Sequence, residues 1–377
     1  MEAPLSMTLQ EHAQRLGWLL TAVAALMIWR VSSAEVISAD GLRYITQAKK
    51  ISSGDWNGGL LGSVDHPIYP LQIAAVRSIA GLSETPVGWQ NAAWAASLIY
   101  SILLVIPLYL VGRELFGNSQ AWLGVLAIFA VPMTSQILPD ALSESTFLHF
   151  WSWSLYFALR FLNRGNPRWL VGVALAGALA YWTRPEGLLI CIALVFTILI
   201  CPILPQTRID WPRFGQVLTI LIVATVLFSV PMMISRGTVG TKPAIAKVLG
   251  LKQRSGKFAV EREKPLDSNK TEVQIWMDAS VAYYRSTKQL TTDAGLFLAL
   301  AGLIVWRRPN AAMARKSLFV VIILSASALA LIRLHATQGY CAPRHTMIPS
   351  QLLLMAAGSG LYWLSDRLLN KVSGLQR

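Results

Sequence analysis

The chain has 377 residues, of which 54% are hydrophobic and only 14% are charged, and its mean hydropathy is +0.49. A soluble domain carries roughly 25% charged residues, so this composition excludes an ordinary soluble enzyme and predicts a protein that uses lipid as part of its solvent. The net charge of +14 does not indicate nucleic-acid binding, because membrane proteins concentrate Lys and Arg in their loops. Cys191, Cys201 and Cys341 lack the spacing of a zinc site or a disulfide framework.

Long apolar runs recur along the whole chain. A bilayer core needs about 20 predominantly apolar residues per helix. Runs of this kind lie at 16–34, 88–111, 121–137, 144–162, 168–183, 187–204, 215–235, 291–306, 317–333 and 346–364. We therefore predict an all-α, polytopic membrane protein with about ten transmembrane helices, in which residues 1–377 form a single transmembrane domain.

The Lys and Arg residues of the short loops predict the orientation. If the N-terminus is cytoplasmic, the inner segments hold fourteen Lys or Arg residues, and the short outer loops hold only Arg184, Arg333 and Arg344. The positive-inside rule then favours a multi-pass protein of the plasma membrane with a cytoplasmic N-terminus. Trp29 and Arg30 interrupt the small residues that a signal-peptide cleavage site would need, so we interpret the first run as a membrane span.

Two long segments then face outward, 35–87 and 236–290. Within 41–53 the apolar residues Tyr44, Ile45, Ala48 and Ile51 share one helical face, and the other face is polar, with Arg43, Thr46, Gln47, Lys49 and Lys50. This pattern is typical of a helix lying in the membrane interface. The apolar stretch 66–82 is interpreted in the same way, because an eleventh span would place the later basic clusters outside.

The segment 236–290 carries eleven Lys or Arg residues against five Asp or Glu. One interpretation is a solvated or headgroup-binding loop, and the other is a loop that attracts an anionic lipid or acceptor. In the second case we expect the loop to be mobile without ligand and to order over a bound lipid donor.

Ionisable residues are scarce in the middle of the predicted spans, with His149 as the clear exception, which we interpret as a packed side chain. They gather instead at the predicted outer ends of the spans. The candidates there are Asp40, His66, Asp140, Glu144, Arg184, Glu186, Arg344 and His345, with Tyr340 close to the last two. This distribution predicts a site at the outer membrane surface.

Several outer stretches resemble one family when they are taken in order. They are S-A-D-G-L-R-Y-I-T-Q-A-K-K-I at 38–51 with V-D-H-P-I-Y-P-L at 64–71, P-D-A-L-S-E-S at 139–145, Y-W-T-R-P-E-G-L at 181–188 and Y-C-A-P-R-H-T-M-I-P at 340–349. Together they resemble the GT-C superfamily of membrane glycosyltransferases, in particular the bacterial branch related to protein mannosyltransferases and to the aminoarabinose transferase of lipid A. The resemblance covers roughly residues 10–365.

The resemblance implies a polyprenyl-phosphate-linked monosaccharide as donor and a hydroxyl group of a glycan, lipid or protein as acceptor, with inversion at the sugar. The family's first acidic residue falls on Asp40, and its second falls on Glu144 or Asp140, between which the sequence does not decide. No cofactor is expected, because arginines can stabilise a departing monophosphate. A divalent ion stays open, because oligosaccharyltransferases of the superfamily use one.

The chemistry assigns roles to the candidates. Sugar transfer from a lipid phosphate needs a base for the hydroxyl proton, which we assign to Asp40, and positive charge for the leaving phosphate, which we assign to Arg344 and Arg184. His66 and His345 would donate hydrogen bonds to sugar or phosphate. Three plainer interpretations remain: an N-cap at Asp40, a local ion pair of Arg184 with Glu186, and an Arg344 that only reaches the interface.

A lipid or solute transporter, or flippase, is the alternative function. It would be expected to have polar groups at the bilayer midplane, paired half-helices and inverted repeats. We find none of these in the sequence. A non-catalytic membrane scaffold would leave the outer acidic and arginine residues unexplained.

Overall fold

The computed structural model describes residues 8–63, 65–203, 211–236, 270–306 and 311–375. The described residues form the α-helices α1 (Leu9–Ser32), α2 (Ala39–Ser52), α3 (Ile68–Ile79), α4 (Pro86–Leu103), α5 (Val105–Leu115), α6 (Asn118–Ala130), α7 (Pro132–Ile137), α8 (Glu144–Arg164), α9 (Arg168–Tyr181), α10 (Leu189–Ile200), α11 (Trp211–Arg236), α12 (Glu272–Val305), α13 (Ala311–Gln338) and α14 (Met347–Leu375). Three short turns of π or 3₁₀ helix connect them, Asn57–Leu61, Pro185–Leu188 and Pro343–Thr346.

The all-α prediction is confirmed, and each of the ten apolar runs coincides with helix. Five segments of the described chain are long and apolar enough to cross a membrane by length and composition: Gln10–Ser32, Pro86–Leu115, Phe214–Ile234, Glu272–Val305 and Ala311–Gln338. The count of ten spans stays a prediction.

Two predicted runs are divided in the structure, and proline accounts for both divisions. The run 88–111 is interrupted at Leu104, one turn before Pro107, which cannot donate the hydrogen bond that would continue the helix. The run 121–137 is interrupted at Val131, whose extended backbone (φ −69°, ψ 121°) is the conformation favoured directly before Pro132.

The last part of the predicted outer segment 236–290 is helical. Helix α12 begins at Glu272, where Thr271 and Gln274 form a reciprocal capping box that satisfies two backbone N–H groups. The helix continues to Val305 with a kink at Thr292, whose φ is +63°. Residues 237–269, which make up most of the predicted basic loop, lie outside the described residues.

Helices α2 and α3 form a small separate core against α4. The predicted apolar face of α2 is buried, with Tyr44 and Ala48 packed near Trp89 of α4. Gln47 differs from the prediction. It lies on the predicted polar face, but it is buried, and its side chain donates hydrogen bonds to the carbonyl oxygens of Gly59 and Asp65. Helix α3 has 12 residues, about 18 Å, which is too short for a hydrocarbon core of about 30 Å.

In the main bundle, helices from the first half of the chain pack against helices from the second half. Trp151 of α8 is fully buried in the large central cluster. Helices α12 and α14 approach so closely that an added methyl group at Gly302 would overlap the carbonyl oxygen of Ala356. At one end of the bundle Glu114 of α5 accepts hydrogen bonds from Arg160 of α8 and Lys316 of α13, both at 3.0 Å. The candidate site lies at the other end.

Candidate functional site

Four segments that are distant in the sequence meet at the end of the bundle opposite Glu114. They are the first turn of α2, the first turn of α8, the connection between α9 and α10, and the 3₁₀ turn before α14. Their central charged residues are Asp40, Glu144, Arg184 and Arg344. We call this group the acidic–arginine cluster.

Asp40 is paired with two guanidinium groups. Its Oδ2 lies 2.7 Å from the Nη1 of Arg344, and its Oδ1 lies 2.9 Å from the Nη1 of Arg43. Asp40 is not the N-cap of α2, because the Ser38 side chain accepts the hydrogen bond of Gly41 N–H at that position. The capping interpretation is therefore wrong, and the Asp40 carboxylate contacts side chains instead.

Glu144 is the buried member of the acidic–arginine cluster. Its side chain is 3% exposed, and its Oε1 lies 2.7 Å from the Nη1 of Arg184 and 3.9 Å from the Nε of Arg344. As the first residue of α8 it also lies at the positive end of the helix dipole, which favours a carboxylate. Its Oε2 is buried and has no hydrogen-bond partner in the described part of the chain.

Arg184 is fixed as a cation by its neighbours. Burial by itself would lower the pKa of the guanidinium, but the nearby carboxylates of Glu144 and Glu186 outweigh this effect and raise that pKa above its ordinary value. The Nη2 of Arg184 lies 3.6 Å from the Oε1 of Glu186. The predicted local ion pair with Glu186 is present, but the shorter and more buried pair is with Glu144.

A small cavity of about 20 Å³ lies inside the acidic–arginine cluster. It is lined by charged groups from Glu144, Arg184, Glu186 and Arg344, with His345 and apolar residues of α8 and α14. This volume holds about one water molecule. A ligand larger than a water molecule can therefore enter only if a wall residue moves, and Arg344 is the wall residue that bridges to Asp40.

The first turn of α2 is docked directly onto the start of α8. The Tyr44 hydroxyl lies 3.1 Å from the Oγ of Ser143, the residue before Glu144. Beside Asp40, an added Cβ at Gly41 would lie 2.9 Å from the carbonyl oxygen of Ala141, so only glycine permits this approach. These contacts set the separation of the two acidic residues.

Asp140 does not face the arginines. Its Oδ1 accepts the N–H of Ala141 at 2.7 Å, which is a local contact at the start of the turn before α8. Burial raises the pKa of Asp140, and the negative charge of Glu144 adds to this rise. Of the two acidic residues left open by the sequence, Glu144 is the one that the fold brings to Arg184 and Arg344.

The remaining predicted residues divide into those near the cavity and those away from it. His345 lines the cavity, and its Nδ1 accepts the N–H of Ala342 at 3.2 Å. Tyr340 is half exposed and packs its ring 5.6 Å from that of His345. His66 is buried with its ring edge-on to Tyr181 at 5.4 Å, and it does not line the cavity.

Sequence reasoning missed Arg43 as part of this arrangement and placed Asp65 at the outer surface without a role. The Nε of Arg43 lies 3.1 Å from the Oδ2 of Asp65, which is 3% exposed, and the same guanidinium reaches Asp40. Residues three apart lie on one helix face, so the Asp40–Arg43 spacing was the available signal. The ion pair was overlooked because Arg43 was assigned to the polar face of the helix.

The carboxylates do not form a cation-binding set in this arrangement. Asp40 and Glu144 each contact guanidinium groups, and the described residues contain no group of three or more His, Cys, Asp or Glu suited to a metal ion. The site carboxylates are thus paired with Arg43, Arg184 and Arg344, and metal independence stays a prediction.

Comparison with known proteins gives one family match and several structural matches. The profile of the family described as dolichyl-phosphate-mannose-protein mannosyltransferase matches residues 65–232, less than half of the chain. No curated protein matches the sequence.

Among solved structures, ArnT from Cupriavidus metallidurans bound to undecaprenyl phosphate matches 94% of this chain and 62% of its own, with a TM-score of 0.64 and 18% identity. The archaeal oligosaccharyltransferase AglB from Archaeoglobus fulgidus, in complex with an inhibitory peptide and a dolichol-phosphate, matches 98% of this chain and 52% of its own, with a TM-score of 0.64 and 12% identity. The chain thus spans about three fifths of the first relative and half of the second. At these identities the likeness shows a shared fold.

Proposed function

We propose that this chain, a membrane protein with the fold of the GT-C superfamily, is a glycosyltransferase that moves a monosaccharide from a polyprenyl-phosphate-linked donor to a hydroxyl acceptor at the outer membrane face. The observation that carries the proposal is the acidic–arginine cluster itself. Asp40 supplies a carboxylate and Arg344 a cation 2.7 Å away, and Glu144 and Arg184 repeat the same pairing beside them.

A single displacement uses both kinds of group. The acceptor oxygen attacks the anomeric carbon, the bond from that carbon to the phosphate oxygen breaks, and Asp40 takes the hydroxyl proton. The polyprenyl phosphate leaves with the bonding electron pair, and Arg344 and Arg184 stabilise its negative charge. One displacement inverts the anomeric configuration.

The pairing of Asp40 explains how the base is activated. While Arg344 and Arg43 contact Asp40, both of its carboxylate oxygens are engaged with charged donors. A donor phosphate that draws Arg344 to itself removes one of these contacts and opens the small cavity. An oxygen of Asp40 then becomes available to the acceptor hydroxyl only when the donor is bound.

Two relatives support the donor class. ArnT was crystallised with undecaprenyl phosphate and AglB with a dolichol-phosphate, so proteins of this fold bind lipid phosphates. We propose the same chemical class for this chain, with membrane lipids as its surroundings and a glycan, lipid or protein as acceptor. The cytoplasmic N-terminus and the outer position of the site follow from the loop charges and belong to the proposal.

The experiment is a donor-consumption assay. Protein in nanodiscs is incubated with synthetic polyprenyl-phosphate sugars, and release of free polyprenyl phosphate is measured with and without an extract of cell-envelope glycans and lipids. We expect release that depends on both the protein and the extract. A transporter or flippase would move the donor intact, so an unchanged donor with every sugar tested would contradict the proposal.

A further inference from the structure

A second, larger cavity lies beside the acidic–arginine cluster, and no residue of that cluster lines it. This cleft has a volume of about 460 Å³ and lies between the first half of α12, the last turn of α13 and Cys341. Pockets for small ligands are typically about 300–1,000 Å³, so the cleft has room for a headgroup. Its polar walls come from Asp278, Arg285, Ser286 and His335.

The charges around the cleft favour an anion. Asp278 lies 2.9 Å from the Nζ of Lys270, so its negative charge is already compensated. Arg285 adds a positive charge to the wall. His335 also lines the cleft, and its Nδ1 has no hydrogen-bond partner within the described ranges.

The rim of the cleft is apolar. Exposed apolar side chains recur every three or four residues along the first half of α12, at Val273, Met277, Val281 and Tyr284, and Val281 also lines the cleft. A charged cleft next to an exposed apolar helix face suits an amphiphile, whose headgroup enters the cleft and whose chain follows the helix.

We infer that this cleft binds a phosphate-ester headgroup, at a site separate from Arg344 and Arg184. Arg285 supplies the charge-assisted hydrogen bonds that phosphate oxygens accept best, and His335 supplies a further polar contact. The same chemistry is offered by a phospholipid headgroup and by a soluble phosphate ester.

Occupation of the cleft is coupled to the segment that carries Arg344. The Oγ of Ser286 on α12 donates a hydrogen bond to the carbonyl oxygen of Cys341 at 2.8 Å, three residues before Arg344. A ligand in the cleft therefore contacts both α12 and Cys341, the two segments that this hydrogen bond joins. An effect of cleft occupation on catalysis rests on the proposed function. Binding of a headgroup to the cleft does not.

Cys341 provides a native reporter for the test. It is partly exposed and lines the cleft, whereas Cys191 and Cys201 are buried. Burial raises the pKa of the Cys341 thiol, so labelling is measured at one fixed pH. The full chain in phosphatidylcholine nanodiscs is treated with anionic and cationic methanethiosulfonate reagents of similar size, and Cys341→Ser identifies the labelled thiol.

We expect the anionic reagent to label Cys341 faster than the cationic one, on the order of tenfold after correction for their rates with a free thiol. Arg285→Gln should remove most of this difference. Lys288→Gln is the matched control, because Lys288 lies on the same helix, pairs with Asp293 at 2.9 Å and does not line the cleft. It should leave the ratio unchanged.

Protection is measured with an uncharged methanethiosulfonate, so that repulsion of the reagent plays no part. Replacing part of the phosphatidylcholine with phosphatidylglycerol should slow labelling if the ligand is a lipid headgroup, and adding glycerol 3-phosphate should do so if it is a soluble ester. Slowing in either arm that Arg285→Gln abolishes supports the site. Equal rates for the two charged reagents, or no protection in either arm, overturn it.

Discussion

Asp40 is held between Arg43 and Arg344, and this pairing sets what its carboxylate can do. The contacts of 2.9 and 2.7 Å satisfy both oxygens with charged donors, so the resting carboxylate is stabilised rather than reactive. Glu144 has only one satisfied oxygen, and its Oε2 is buried without a partner among the described residues. The two acidic residues therefore differ in role, with Asp40 as proposed base and Glu144 as the group that orients Arg184.

A pair of substitutions separates Glu144 from Asp140. Glu144→Gln keeps the size of the side chain but removes the charge that holds Arg184, and we expect transfer to fall roughly 10²-fold, as when one transition-state stabiliser is lost. Asp140→Asn should stay within about threefold of wild type, well short of that loss. The measurement is the initial rate of polyprenyl phosphate release. The reverse order of effects would identify Asp140 as the second acidic site residue.

Asp140 also gives a pH-dependent stability prediction. Because burial raises its pKa in the fold, its contribution to stability is complete below the unfolded value of about 3.9 and is lost as the pH rises through the raised value. Asp140→Asn retains an acceptor for Ala141 N–H and has no charge to desolvate. We expect this variant to melt at a higher temperature than wild type at pH 7.5, with the difference closing near pH 4. A melting temperature below wild type at pH 7.5 would contradict this.

At this scale the sequence indicated which residue types to examine but not which of them meet. Asp40, Arg184 and Arg344 were predicted from their places at the ends of spans. The choice between Glu144 and Asp140 was not available, because the residues are four apart in one segment and the deciding partner, Arg184, is 40 residues away. The N-cap at Ser38 was missed because either Ser or Asp can cap a helix.

At the scale of the elements, the contact of α12 with α14 places Arg344. Helix α14 follows directly from the 3₁₀ turn that carries Arg344. Its Gly360 lies so close to α12 that an added methyl group would overlap the carbonyl oxygen of Leu298, and Gly302 makes the reciprocal approach. Small residues four apart permit this backbone contact, as in many membrane helix pairs.

A matched pair of glycine substitutions tests this contact. Gly360→Ala should destabilise the protein by about 1–3 kcal/mol, because the methyl group has no space and the helices must separate. Gly215→Ala on α11 adds the same group where nothing lies within 4 Å, and it should be neutral or slightly stabilising. Thermal unfolding in nanodiscs measures both. Equal melting temperatures for the two variants would show that α12 and α14 do not need this contact.

Helices that follow from apolar periodicity or length were predictable, whereas helix ends that depend on capping residues were not. The apolar face of α2 was predicted correctly from its helical spacing. The start of α12 was missed, although Thr271 and Gln274 carry the capping-box spacing, because the high charge of 236–290 favoured a loop. Pro107 and Pro132 were available signals for the breaks between α4 and α5 and between α6 and α7, and hydropathy averaging concealed them.

At the scale of the whole molecule, the charged groups are separated between two ends. Glu114, Arg160 and Lys316 tie three helices at one end, and the acidic–arginine cluster lies at the other. The predicted all-α fold is shared with ArnT over 94% of the chain. What the sequence could not show is how the ends are packed, since the pairs Glu114–Lys316, Glu144–Arg184 and Asp40–Arg344 each join segments that are far apart.

Metal independence is the prediction that concerns the site as a whole. Arg184 and Arg344 supply the positive charge that a leaving monophosphate needs, so we expect transfer to proceed in excess EDTA at the rate found with added Mg²⁺ or Mn²⁺. The assay is polyprenyl phosphate release from protein dialysed against the chelator. Loss of activity in EDTA that a divalent ion restores would assign Asp40 or Glu144 to a metal instead.

The most direct test of the account is the transfer rate of Asp40→Asn. We expect a loss of roughly 10²–10⁴-fold, the range for removal of a general base, with an unchanged melting temperature because Ser38 still caps α2. Asp55→Asn is the matched control, because Asp55 follows the same helix and its side chain accepts the N–H of Gly58. It should retain wild-type transfer. An Asp40→Asn protein that turns over within about threefold of wild type, far inside that range, would contradict the assignment of Asp40 as the base.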